Sequence, residues 1–255
     1  MKYAFAGDRK ISCNLLNFLI LKGYKPSFLL VTKGKNSSHS EELKKIANLS
    51  SEYIYEGVEF KNNTCIQKLA SLDLDYIIGV HFPYIIPKKV LNIPKIGFTN
   101  LHPSYLPYNK GWHTPSWAIL DGTPYGATLH FMSDALDEGD IIHQKKIDIS
   151  DFDTANTLYK KTLKLEEEVF KESIDDLLGL KPTRIKQKSD GTAHTKKDLE
   201  NERVILNKEK IYPIQLIDKL RALTTNKKSE APYFSKNGKR IGININLFEI
   251  DEEEE

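Results

Sequence analysis

The amino-acid sequence predicts an α/β protein: a Rossmann-like, mostly parallel sheet flanked by helices, followed by a small C-terminal α+β subdomain with a β-hairpin. Three observations predict this fold. Short β-rich runs alternate with amphipathic runs through the first half of the chain. The run Tyr76–Ile78 is apolar at successive positions, which is typical of a strand buried on both faces. Gly179 and Pro182 end a long helix, and the composition changes after them. We therefore expect domains of residues 1–180 and 181–255.

The strands of the first domain are predicted from short runs rich in β-branched and aromatic residues. Turn-forming residues and polar segments separate these runs along the chain. In order, the predicted strands are Lys2–Ala6, Ser27–Thr32, Asp75–Val80, Ile96–Leu101, Ala127–Phe131 and Ile141–Ile149.

The helices are predicted from apolar residues at helical spacing. A broad apolar face predicts the first helix at Ile11–Leu21. The next begins near Ser40, whose hydroxyl can cap it. Thr154–Leu178 has a long apolar stripe in which Glu166 is the one misfit. The other predicted helices are Thr64–Leu72, Pro115–Leu120 and Tyr212–Leu223.

The C-terminal hairpin is predicted at Tyr233–Leu247, around the turn residues Asn237 and Gly238. From Ile241 to Leu247 apolar residues alternate strictly with others, so we expect one face of this hairpin to be buried.

Composition limits the class of protein. The chain has 255 residues, 40% of them hydrophobic, which excludes a mainly disordered polypeptide. Its 37 Lys and Arg against 35 Asp and Glu give no global reason to expect a nucleic acid or a membrane surface as partner. Two cysteines are too few for a disulfide framework, and neither a signal peptide nor an apolar run of about 20 residues is evident. We expect a cytoplasmic protein.

Two short segments contain the residue types of acyl-transfer chemistry. Asn100 and His102 are two positions apart at the end of a predicted strand, so their side chains share one face. Asp140 precedes another apolar strand and could orient the imidazole. An amide can bind an oxyanion, and an imidazole can move protons. Taken alone, His102 is more commonly a satisfied polar residue than a catalyst.

These segments resemble those of formyltransferases that use 10-formyltetrahydrofolate. The resemblance lies in Asn100-Leu101-His102-Pro103-Ser104, then Leu106-Pro107 and Gly111, and about 30 residues later Asp137-Glu138-Gly139-Asp140-Ile141. It implies a fold over about residues 1–180 and a catalytic triad of Asn100, His102 and Asp140, with 10-formyltetrahydrofolate as co-substrate.

Within that family, the version Tyr108-Asn109-Lys110-Gly111-Trp112, with His81–Pro87 upstream, resembles the sugar N-formyltransferases. These act on the amine of a nucleotide-linked 3- or 4-amino-dideoxy sugar, here expected to carry dTDP, in O-antigen or lipooligosaccharide biosynthesis. Methionyl-tRNA or a small ribonucleotide remains an alternative acceptor. A non-catalytic module that binds a sugar nucleotide or folate is the alternative of a different class.

The resemblance also implies binding residues. The folate would contact the segment of Phe82, Tyr84 and Ile86, and the turn at Gly139. Core packing is the alternative for the three side chains. A homodimer is expected, and no metal is, since the histidine spacings do not match a metal site. The predicted contacts to the nucleotide-linked sugar are Arg9, Lys10, His81, Tyr105, Asn109, Trp112 and Arg221.

Overall fold

The computed structural model describes residues 1–205 and 210–250 and confirms the α/β architecture. The strands are β1 (Tyr3–Gly7), β2 (Phe28–Val31), β3 (Ile54–Glu56), β4 (Tyr76–Val80), β5 (Gly97–His102), β6 (Lys110–Gly111), β7 (Tyr125–Phe131), β8 (Ile141–Ile147), β9 (Ala193–His194), β10 (Tyr233–Lys236) and β11 (Lys239–Gly242). The helices are α1 (Arg9–Leu21), α2 (Ser40–Ala47), α3 (Asn63–Ser71), α4 (Lys88–Leu91), α5 (Thr114–Leu120), α6 (Ala155–Glu172), α7 (Ile174–Leu178), α8 (Asp198–Glu202) and α9 (Pro213–Leu223).

A seven-stranded sheet forms the centre, in the order β3-β2-β1-β4-β5-β7-β8. Strands β3, β2, β1, β4 and β5 pair in parallel, and β7 pairs with β5 antiparallel. The strand order reverses between β1 and β4, and such reversals open ligand crevices at the carboxyl ends of the strands. The last residue of β5, His102, lies at that edge.

The predicted strands agree with the observed ones to within about two residues, because runs of β-favouring apolar residues mark them. All five residues of β1 and of β4 are buried. Strand β3 was not predicted, since it is only three residues long and its residues are only half-buried. An apolar cluster that includes Phe28, Phe60 and Phe98 packs on this sheet.

The long helix predicted over residues 154–178 is divided into α6 and α7 at Ser173. The Ser173 hydroxyl donates to the carbonyl of Val169 at 2.6 Å, a contact that often bends helices. Glu166 lies in α6 and is fully buried, so the misfit in the apolar stripe needs a polar partner inside the protein.

The C-terminal hairpin is shorter than expected. It consists of β10 and β11, joined by Asn237 and Gly238, whose φ values of 50° and 74° suit a tight hairpin turn. Pairing ends at Gly242, and 40% of Ile241 is exposed. The expectation of a paired hairpin to Leu247 is therefore wrong. The expected alternation is present in the burial, since Ile243, Ile245 and Leu247 are half-buried and the residues between them are exposed.

Contacts divide the chain into two compact units. The first unit comprises Met1–His102, Thr128–Gln144 and Glu166–Gln187. The second comprises Pro103–Ala127, Lys145–Leu165 and the chain from Lys188 onward. Both units are built from separate segments, so this division does not test a single boundary along the chain. The boundary at residue 180 stays a prediction. Among the described helices, none combines the length and the apolar character that crossing a bilayer requires.

Candidate active site

The carboxyl end of β5 holds the two polar side chains that the sequence singled out. In the pairing with β7, Asn100 lies opposite His130 and His102 lies opposite Thr128. Residues two apart on a strand project from the same face, so the amide and the imidazole face the same side of the sheet. His102 is largely buried, at 6% exposure.

The carboxylate beside His102 belongs to Asp137. Its Oδ2 lies 3.7 Å from His102 Nε2, and its Oδ1 lies 3.7 Å from His130 Nε2. These distances exceed a hydrogen bond, as is common for catalytic groups before a ligand tightens the site.

The prediction of Asp140 as the partner of His102 is wrong. The Asp140 carboxylate instead lies 3.7 Å from the Arg184 guanidinium, which also stacks on the Phe131 ring. The physical reason is the turn: Asp137 has a φ of 52°, which directs its side chain toward His102 before the chain enters β8. Both aspartates belong to the same Asp-Glu-Gly-Asp motif, so spacing along the chain could not distinguish them.

His130 is a member of the site that the sequence did not identify. Its Nδ1 lies 2.8 Å from the carbonyl oxygen of Phe131, which can only accept, so Nδ1 carries the proton. Complete burial lowers the pKa of His130 to about 4, and the ring is therefore neutral at physiological pH. Its Nε2 can accept from the Asn100 amide, 3.5 Å away. This contact orients the amide with its nitrogen toward His130 and leaves a second N–H to donate elsewhere.

A cavity of about 310 Å³ lies in the first unit, beside the loop that follows β7. Leu91, Phe98 and Met132 line it together with polar residues, among them Lys88 and Asp134, which form an ion pair. A lining that combines apolar and polar groups suits a flat heteroaromatic ligand. The loop that lines this cavity continues to Asp137.

A family model described as formyl transferase matches residues 27–174, which is more than half of the chain. The chain belongs to the formyl transferase family. A second model, described as the N-formyltransferase dimerization C-terminal domain, matches residues 198–249.

Similar formyl transferases differ in their substrates. A methionyl-tRNA formyltransferase of Thermodesulfovibrio yellowstonii is 35% identical over 181 residues, which are 68% of this chain and 58% of the relative. The chain thus aligns with less than two thirds of that relative's length. A dTDP-4-amino-4,6-dideoxyglucose formyltransferase of Mycobacterium bovis is 28% identical, over 68% of this chain and 73% of the relative. The crystal structure of a 4-N formyltransferase from Francisella tularensis superposes with a TM-score of 0.80 at 28% identity, covering 98% of this chain and 99% of that one.

The predicted folate segment of this formyl transferase packs three of its side chains against the core. The rings of Phe82 and Tyr84 lie 4.9 Å apart and both contact Phe60, at 5.5 and 5.9 Å. Ile86 is buried in the cluster that includes Phe98. These side chains position the segment, and contact with a folate through its backbone stays a prediction. A Cβ at Gly139 would lie 1.8 Å from the Phe131 carbonyl oxygen, so this turn requires glycine.

Among the predicted sugar contacts in the first unit, His81 has a different role. Its Nε2 lies 2.9 and 3.0 Å from the two carboxylate oxygens of Glu166, and its side chain is only 10% exposed. His81 is the partner that buried Glu166 requires, and its contact with a substrate stays a prediction. Arg9 and Lys10 begin α1 with exposed side chains, and Lys10 pairs with Glu42. Their contact with a pyrophosphate stays a prediction.

Two predicted contacts in the second unit are also structural. The Arg221 guanidinium donates to the carbonyls of Ser150 and Asp153, at 3.0 and 3.2 Å, which occupies the group expected to bind phosphate. Asn109 is 1% exposed, and its amide donates to Thr123 at 3.0 Å. Both side chains thus have a structural role, and their contact with a ligand stays a prediction.

Tyr105 and Trp112 are the second-unit contacts that stay predictions. Lys146 lies over the Tyr105 ring and Lys196 over the Trp112 ring, at 4.9 and 5.5 Å from the ring centres. Trp112 is 45% exposed, so an aromatic face is accessible for stacking.

Proposed function

We propose that this protein is an N-formyltransferase that moves a formyl group from 10-formyltetrahydrofolate to the amine of a nucleotide-linked 3- or 4-amino-dideoxy sugar. The observation that carries the proposal is the arrangement of Asn100, His102 and Asp137 at one edge of the sheet. Similarity to a 4-N formyltransferase over nearly the full length, and to a dTDP-sugar formyltransferase, supports the acceptor class. O-antigen or lipooligosaccharide biosynthesis is the proposed setting.

The residues of the site supply what amide formation needs. The neutral sugar amine attacks the formyl carbon, and a new C–N bond forms while the bond from that carbon to the folate nitrogen breaks. His102 accepts the proton that the attacking amine loses and returns one to the departing nitrogen. The Asn100 amide donates to the formyl oxygen as negative charge develops there.

Asp137 and His130 support these two groups. The Asp137 carboxylate stabilises the positive charge that His102 acquires when it takes the proton. Neutral His130 holds the Asn100 nitrogen, so that the second N–H of the amide is presented to the formyl oxygen. Because the attacking amine must be unprotonated, we expect the rate to fall at acidic pH.

The cavity beside the Asp137 loop supports a pterin as the flat ligand of the formyl donor. The apolar side chains of Leu91, Phe98 and Met132 suit its rings, and the polar residues of the lining suit its donor and acceptor edge. When bound, the formyl donor supplies an activated one-carbon group.

The described residues contain no cluster of His, Cys, Asp and Glu that could hold a metal.

Methionyl-tRNA is the second candidate acceptor, favoured by the 35% identical relative. Against it stands the near balance of charge, 37 basic and 35 acidic residues, since binding a large polyanion uses many cationic groups. The match of residues 198–249 to a dimerization domain also supports an acceptor other than tRNA.

The test is to incubate the protein with 10-formyltetrahydrofolate and a panel of dTDP-, UDP- and GDP-linked amino sugars, followed by mass spectrometry. We expect one acceptor to gain the mass of a formyl group, and His102→Ala to abolish that gain. Methionyl-tRNA is included as a separate acceptor. Formylation of the tRNA but of no sugar would overturn the proposal.

The cytoplasm is the proposed location, and a homodimer is the proposed assembly. Cys13 and Cys65 are buried thiols, and burial raises the pKa of each to about 12, so they behave as inert core residues. Reduced cysteines are typical of an intracellular protein. The match to a dimerization domain supports the homodimer.

A further inference from the structure

The turn that carries Asp137 is held by a side chain outside the recognised motif. Gln187 Nε2 lies 2.7 Å from the carbonyl oxygen of Asp137 and 2.8 Å from that of Gly139. Both N–H groups of one amide are therefore donated to one turn. Two residues earlier, Ile185 exchanges backbone hydrogen bonds with Ile141 at 2.8 and 2.9 Å, which fixes the segment beside β8.

The turn needs such support because its backbone is constrained. Asp137 has a φ of 52°, a left-handed conformation that non-glycine residues rarely adopt. Gly139 packs directly against the Phe131 carbonyl. With both constraints, the carbonyls of Asp137 and Gly139 converge on one point, where they would repel each other without a shared donor.

The surroundings of the Gln187 oxygen show which way round the amide is oriented. Oε1 is shielded from solvent and has no hydrogen-bond partner among the described residues. Turning the amide over would place this oxygen against two carbonyl oxygens, so the observed orientation is the only favourable one. The two donated hydrogen bonds therefore fix the amide in one orientation.

We propose that Gln187 is a positioning residue for catalysis: its amide holds the turn from Asp137 to Gly139 so that the Asp137 carboxylate faces His102. Gln187 does not touch the reacting groups. It acts through Asp137, whose Oδ2 is 3.7 Å from His102 Nε2. The kinetic consequence rests on the proposed formyl transfer, whereas the structural consequence does not.

The test compares Gln187→Met and Gln187→Glu in the full chain. Methionine has a similar shape but no donors, and glutamate places an oxygen against the two carbonyls. Gln67→Met, on the exposed side of α3, makes the same chemical change elsewhere and is the control. We expect kcat to fall about tenfold to a hundredfold for Gln187→Met and further for Gln187→Glu, with the KM for the acceptor within about threefold.

A readout that needs no activity is the NMR signal of the His102 ring in protein labelled with ¹⁵N-histidine, assigned through its absence in His102→Gln. At a fixed pH, we expect this signal to shift in both Gln187 variants and to stay in place in Gln67→Met. An unchanged signal and unchanged kcat in folded Gln187→Met would overturn the inference. If no acceptor is formylated even by the unaltered protein, the proposed function fails, and the NMR signal still decides the role of Gln187.

Discussion

Two aspartates three positions apart have different surroundings, so the same substitution should have different effects on them. Asp137 faces His102, whereas Asp140 faces Arg184. We expect Asp137→Asn to lower the turnover number by about a hundredfold or more, because His102 loses the charge that stabilises its protonated form. Asp140→Asn should keep turnover within about threefold of the unaltered protein. The measurement is kcat for formyl transfer at saturating substrates.

Circular dichroism of both variants serves as the control, since each must retain the fold for the comparison to hold. A loss at Asp140 as large as that at Asp137 would contradict the geometry.

The residue types of the site could be predicted from the sequence, but the choice between the aspartates could not. Asn100 and His102 follow from the two-residue period of a strand, which fixes side-chain direction without further information. Asp137 depends on a left-handed turn, and local sequence does not determine which side chain such a turn presents. His130 was missed because its partner, the Asn100 amide, is set by strand pairing between distant segments.

Helix α6 and the carboxyl end of β4 are connected by one buried pair, His81 and Glu166. Removing one partner leaves the other without its hydrogen bonds inside the protein. We expect His81→Phe and Glu166→Leu each to lower the free energy of unfolding by about 2 kcal/mol. The double variant should lose less than the sum, with a coupling energy of about 1–2 kcal/mol. Urea denaturation of the four proteins measures it.

His143 and Glu172 provide the matched control, because they form the same kind of pair at 2.9 Å with both side chains partly exposed. Solvent competes for such a pair, so its coupling energy should stay below about 0.5 kcal/mol. Equal coupling energies for the two pairs would show that the burial of Glu166 does not strengthen its interaction with His81.

The regular elements could be predicted from local composition, whereas this pair depends on contacts between distant segments. Strands β1 and β4 are apolar at every buried position, and α6 shows a long apolar stripe. The composition of these elements therefore predicts their burial. In the sequence, Glu166 is visible only as a polar residue that interrupts this stripe. Its partner His81 is 85 positions away, and only the packing of α6 beside the sheet brings the two together. For the same reason, the internal hydrogen bonds of Arg221 and Asn109 could not be anticipated.

The C-terminal region leaves more apolar surface exposed than a single chain requires. Ile241 is 40% exposed and Phe248 72%, within the segment that matches a dimerization domain. The strict apolar alternation that begins at Ile241 predicted a buried face, and a second copy of the chain would provide the burial that the hairpin lacks. This supports the C-terminal region as the interface of the proposed homodimer.

Sedimentation equilibrium of the full chain at micromolar concentration should therefore give twice the chain mass. Introducing Ile241→Lys together with Phe248→Lys should give the mass of one chain, because burying two ammonium groups in the interface costs more than the contact returns. Leu21→Lys replaces an apolar residue that is 79% exposed at the end of α1, in the first unit, and should leave the dimer intact. If the doubly substituted chain is still a dimer, the interface lies elsewhere. If the unaltered chain is a monomer, the proposal of a homodimer is wrong.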